Sequence, residues 1–115
     1  PMLYEIMGQQ QKALDAYNRI ENILLANEVY DDLLYKKGKL LLSMGYFQEA
    51  KQSFLVLQNA AGEGMWKEEG YFYFAKAAFE LDPGSSKEAL MEYLISYPNG
   101  FYTEQARTMY RTFAL

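Results

Sequence analysis

Two acidic pairs, Asp31-Asp32 and Glu68-Glu69, and five serines are the side chains of this chain best suited to proton-transfer or nucleophilic chemistry. Neither set is spaced for it. Sequence neighbours on a helix diverge, so each acidic pair sends its carboxylates apart instead of forming a dyad around a bond. At helix starts they have a simpler use, opposing the positive end of the macrodipole. The serines have no histidine to activate them, because the chain contains none, and no Ser-x-x-Lys arrangement occurs. The absence of cysteine removes thiol nucleophiles and disulfides, and with histidine also missing the usual zinc ligands are gone. Gly62-x-Gly64 follows a helical pattern, not a strand, so it is no phosphate loop. The expectation is a protein that is not an enzyme and uses no cofactor or metal.

Composition narrows the partners. The 115 residues carry a net charge of −4, which disfavours nucleic acid and a basic membrane-surface helix alike. No apolar run reaches the length of a membrane span, and Phe72–Phe79 is interrupted by Lys76. Half of the residues are hydrophobic and 17% are aromatic, enough for one domain with a real core. Lack of cysteine fits reducing and oxidising compartments equally.

The elements that must position any site are helices. Ala13, Tyr17, Ile20 and Leu24 recur at helical spacing, as do Leu34, Gly38 and Leu41, then Ala50, Phe54 and Leu57. Breaks fall at Gly8, Asn27, Gly45, Gly62-Glu63-Gly64, Asp82-Pro83-Gly84-Ser85-Ser86 and Pro98-Asn99-Gly100. These predict seven helices near 2–7, 10–26, 31–44, 47–60, 65–81, 86–96 and 102–113, with neighbours antiparallel across short connections. One pattern recurs three times: Gly, then Ala five residues on, then an aromatic four later, as Gly8/Ala13/Tyr17, Gly45/Ala50/Phe54 and Gly84/Ala89/Tyr93. Glycine would end one helix with positive φ, alanine would allow close approach, and the aromatic would fill the space between hairpins. A second repeat, stepped by 37, aligns Asp32, Tyr35, Lys39 and Leu42 with Glu69, Phe72, Lys76 and Phe79. The same step sets Pro1 opposite Gly38, so the first repeat is expected to lack its front half, and any targeting segment would lie upstream.

Leu34, Gly38, Leu41, Gly45, Ala50 and Phe54, and Tyr71, Ala75, Ala78, Gly84, Ala89 and Tyr93 after them, resemble the tetratricopeptide repeat, a family of stacked helical hairpins that bind other proteins. The first repeat matches from Tyr4 through Gly8, Ala13 and Tyr17. The step of 37 to 39 exceeds the usual 34, and the closing proline is missing from the first two repeats. The ending Tyr97-Pro98-Asn99-Gly100-Phe101-Tyr102, followed by Glu104-Gln105-Ala106-Arg107, is similar to the bacterial branch containing outer-membrane-assembly lipoproteins and TolA-binding proteins. The resemblance implies an all-α fold of antiparallel hairpins stacked as a right-handed superhelix of about three and a half repeats. They divide as 1–27 (partial), 28–64, 65–100 and a capping helix at 101–115. It also implies a bacterial origin, and a periplasmic or outer-membrane-associated location ahead of a cytoplasmic one.

In that family ligands lie in the concave groove lined by the first helix of each hairpin. The matching positions are Asp32, Tyr35, Lys39, Leu42, Glu69, Phe72, Lys76 and Phe79. Each quartet is spaced 3, 4 and 3, so its members share a face. The expected ligand is a peptide with apolar anchors and some acidic character, without nucleic acid or membrane insertion. The plainer reading makes these aromatics core and these lysines solvated. Aromatics at the first position of each Tyr35/Lys39 and Phe72/Lys76 pair depart from the subgroup that clamps chaperone C-termini. The competing function is structural, a homodimer formed through open repeat ends around Tyr4, Tyr17 and Ile20.

Overall fold

Six α-helices are present among the described residues of the computed structural model: α1 (Met2–Leu24), α2 (Tyr30–Met44), α3 (Phe47–Gln58), α4 (Met65–Leu81), α5 (Lys87–Ser96) and α6 (Thr103–Tyr110). Short 3₁₀ turns follow α4 at Pro83–Ser86 and α6 at Arg111–Ala114. The structure describes the backbone of residues 2–24, 30–59 and 65–114, and the side chains of 7–19, 31–59 and 66–113. The breaks expected at Asn27 and at Gly62-Glu63-Gly64 lie outside the described residues. The fold is all-helical, and consecutive helices pack on one another, with α4 also packed along α3 and against α2. The molecule measures 40 × 39 × 20 Å. Its short dimension holds two helix diameters of about 10 Å each.

The seven-helix expectation fails at Gly8, where α1 runs through without a break. Its cause is local. Gln9, Gln10, Gln11 and Lys12 follow Gly8 and are all good helix formers, and nothing nearby supplies the capping bonds that stop a helix. Gly45 does stop one. It is the only residue with positive φ among those described, at 83°. Its N–H donates to the Leu42 carbonyl (3.1 Å) while the Tyr46 N–H donates to that of Leu41 (2.9 Å), a Schellman pair that ends α2. Gly84 needs no such conformation and sits inside the 3₁₀ turn, whose hydroxyls bond back to carbonyls: Ser85 to Asp82 (2.8 Å) and buried Ser86 to Pro83 (2.7 Å). One sequence pattern therefore serves three local structures.

Close approach also falls elsewhere than on alanine alone. Ala50 and Phe54 are fully buried as expected, but the tip of the Phe54 ring abuts Gly38, where a Cβ would meet it at 2.6–2.9 Å. A Cβ on Gly70 would run into the backbone of Leu57 and Gln58, so α3 and α4 touch through main chain. In the other copies Leu14 and Leu90 are buried where Ala13 and Ala89 are half-buried. The helix α4 is central: Phe72, Tyr73, Ala75, Ala77 and Ala78 are all buried. Its Tyr71-Phe72-Tyr73-Phe74 run is aromatic all round because neighbours cover it on several sides.

Candidate functional site

The second halves of α2 and α4 and the start of α3 enclose a cleft of about 390 Å³, lined by Lys39, Leu42, Ser43, Phe47, Tyr73, Lys76 and Glu80. Lys39, Leu42 and Lys76 are sequence-predicted site residues, and the structure brings them together. Tyr73 forms the centre. The Lys39 Nζ donates a 2.9 Å hydrogen bond to the Tyr73 hydroxyl and sits 4.4 Å from its ring centroid, with the Lys76 Nζ 5.9 Å from that centroid. Neither ammonium is ion-paired with a carboxylate among the described residues.

The other five predicted residues lie around this cleft, not in it. Tyr35 is half-buried one turn before Lys39, with its ring 5.2 Å from Trp66 and 5.9 Å from Tyr73. Asp32 pairs with Lys36 at 3.0 Å on α2. Phe79 is half-buried, edge-on to Phe113. Phe72 is 0% exposed and stacks flat on Tyr102, centroids 4.3 Å apart with the planes 5° from parallel. Glu69 is 8% exposed and accepts a 2.7 Å hydrogen bond from the Tyr102 hydroxyl. The reason is the chain entering α6. Tyr102 lies across the Glu69–Phe72 side of α4, which turns that side inward and leaves Tyr73 and Lys76 facing the cleft. Sequence reasoning missed Tyr73, Phe47, Ser43 and Glu80. Tyr73 stands three residues before Lys76 and Phe72 four, so helical spacing alone fits both.

Charge in the cleft is set by these contacts. Burial works against the Lys39 ammonium, but the Tyr73 hydroxyl it donates to, and Tyr35 beside it, hold its pKa above the ordinary lysine value. Burial would raise Tyr73, but the hydrogen bond from the Lys39 ammonium, the Lys39 charge and the neighbouring Tyr102 hydroxyl outweigh it, leaving that phenol below its usual value. Tyr35 is pushed up by burial first and then by the Glu69 carboxylate. Near neutral pH the cleft thus presents a charged Lys39 over a neutral, hydrogen-bonded Tyr73.

A second polar cluster ties α4 to the turn before α6. The Glu68 Oε2 accepts from the Tyr93 hydroxyl (2.7 Å) and from the Phe101 N–H (2.8 Å), and the Tyr93 hydroxyl itself accepts from the Tyr102 N–H (3.0 Å). Glu68, which lies in the first turn of α4, and Glu69 are therefore anchors for the following elements. Among the described residues no three Asp or Glu side chains converge as a metal site, and no helix is long and apolar enough to cross a membrane. Of the surface expected to mediate self-association, Tyr17 is half-buried on α1, and the side chains of Tyr4 and Ile20 lie outside the described residues. Comparison of the chain with protein-family models, curated proteins and solved structures returns no match.

Proposed function

We propose that this chain is a tetratricopeptide-like array, with α2–α3 and α4–α5 as its two complete hairpins and α6 as a cap, and that it acts as a protein-binding adaptor. The partner segment docks in the cleft between α2 and α4. The observation that carries this reading is the pairing of two lysines that have no carboxylate partner among the described residues with an apolar wall of Leu42, Phe47 and Tyr73. Such a surface favours a segment that brings an apolar anchor and a carboxylate together, because the anchor is desolvated while the charge completes the lysines. The test is affinity capture from native extract by wild type and by a Lys39→Glu/Lys76→Glu variant that keeps its helical circular dichroism. Proteins held by wild type and lost, at least tenfold, by the variant support the cleft; equal retention by both removes it.

A further inference from the structure

The turn joining α5 to α6 displays Phe101 88% exposed on a backbone that is already fixed. The Phe101 N–H is held by Glu68, the Gly100 N–H donates to the Thr103 hydroxyl (2.7 Å), and that hydroxyl donates to the Tyr97 carbonyl (2.6 Å). A rigid, exposed aromatic loses little freedom on binding and is the usual kind of anchor in protein interfaces. Three residues on, Glu104 is 80% exposed in its side chain, and Arg107 follows one turn later, paired with it at 2.6 Å.

This arrangement matches the cleft on the same molecule. The partly exposed side chains of Leu42 and Phe47 would receive an aromatic ring. Beside them α4 presents Lys76 and, one turn on, Glu80, while α6 presents Glu104 and, one turn on, Arg107. A positive–negative pair thus faces a negative–positive pair when the two helices run side by side in the same direction. The turn cannot reach its own cleft: it is bonded at Glu68, eight residues and about 12 Å before Lys76 along α4. We propose that a second copy of this chain docks its α5–α6 turn in the cleft, with Phe101 seated against Leu42 and Phe47 and Glu104 meeting Lys76. This rests on the cleft being the docking site proposed above, and names its occupant. The two surfaces differ, so the contact is heterologous and leaves a free turn and a free cleft at the ends of every assembly.

Sedimentation velocity on three proteins tests it: wild type, a cleft variant (Lys76→Glu) and a turn variant (Phe101→Ser), both changed at side chains outside the core. Wild type forms a series of species that grows with concentration, each variant alone associates at least tenfold more weakly, and their equimolar mixture forms a one-to-one complex that grows no further. Wild type that stays monomeric, or association unaffected by Phe101→Ser, overturns the proposal. If Lys76→Glu alone abolishes association, the cleft stands as a docking site and its occupant is not this turn. The extract experiment judges the cleft independently, since its variant keeps Phe101.

Discussion

Glu68 and Glu69 are adjacent in sequence yet serve different tyrosines, Tyr93 on α5 and Tyr102 at the entrance to α6. These contacts were not legible beforehand, because carboxylate pairs at helix starts are common and the partners stand 25 and 33 residues away. They make Tyr102→Phe informative. The ring stack on Phe72 survives, while Glu69, 8% exposed, loses its hydroxyl donor. The expected cost is about 1–3 kcal/mol in urea unfolding. A shift under a few tenths would show that the bond contributes nothing. The same hydroxyls set an alkaline limit. Burial and the hydrogen bonds to Glu68 and Glu69 raise the Tyr93 and Tyr102 pKa values well above the ordinary 10.0. As pH rises past 10 the unfolded state loses these protons first, so the native state binds more and stability falls with pH. Their contribution is complete below pH 10 and disappears toward the folded values. Tyr35, also raised, acts in the same direction, and Tyr73, lowered, acts against them. Tyr102→Phe should therefore flatten the fall in stability above pH 10, which chemical denaturation at several alkaline pH values would measure.

At the scale of elements, the helices were legible from periodicity, and α2, α3 and α4 fall within a few residues of expectation. The turns were legible only in part. Gly8 and Gly45 head the same Gly/Ala/aromatic pattern, yet one lies inside a helix and the other ends one, because a glycine stops a helix only when the next residues turn back to cap it. Opposite responses to one substitution follow. A Cβ on Gly8 would meet nothing within 4 Å, so Gly8→Ala should stabilise by about 0.5–1 kcal/mol through helix propensity. Gly45→Ala meets equally open space but must adopt φ of 83°, and should destabilise by about 1–2 kcal/mol. Melting temperatures moving in the same direction would contradict the continuous α1 or the left-handed turn. The cleft shows a similar limit. The step of 37 set Lys39 and Lys76 at matching positions, and with Leu42 they line one cleft, but the choice between Phe72 and Tyr73 depended on which side the chain entering α6 covers. No spacing within α4 carries that information.

For the whole molecule, stacking makes stability a matter of neighbours, and the neighbours are unequal. α4 packs on α2, α3 and α5, whereas α1 packs chiefly on α2 and, among the described residues, gives only Leu14 to the buried cluster. The described part of α1, side chains 7–19, therefore buries little apolar surface compared with α4, and local opening free energies should rise from that part of the first helix to the fourth. Amide hydrogen exchange should find α1 protected least and the Phe72–Ala78 stretch of α4 protected most. Equal protection in the two would mean that α1 is part of one cooperative block. A shortened chain of residues 30–115 carries this further, because it keeps every residue that lines the cleft and the whole Phe101 turn. It should remain helical, lose stability by roughly 2–5 kcal/mol from uncovering the Leu34–Leu41 side of α2, and associate as the full chain does. Association lost with α1 but untouched by Phe101→Ser would instead place the contact between copies on the first helix, and leave the cleft free for a different protein.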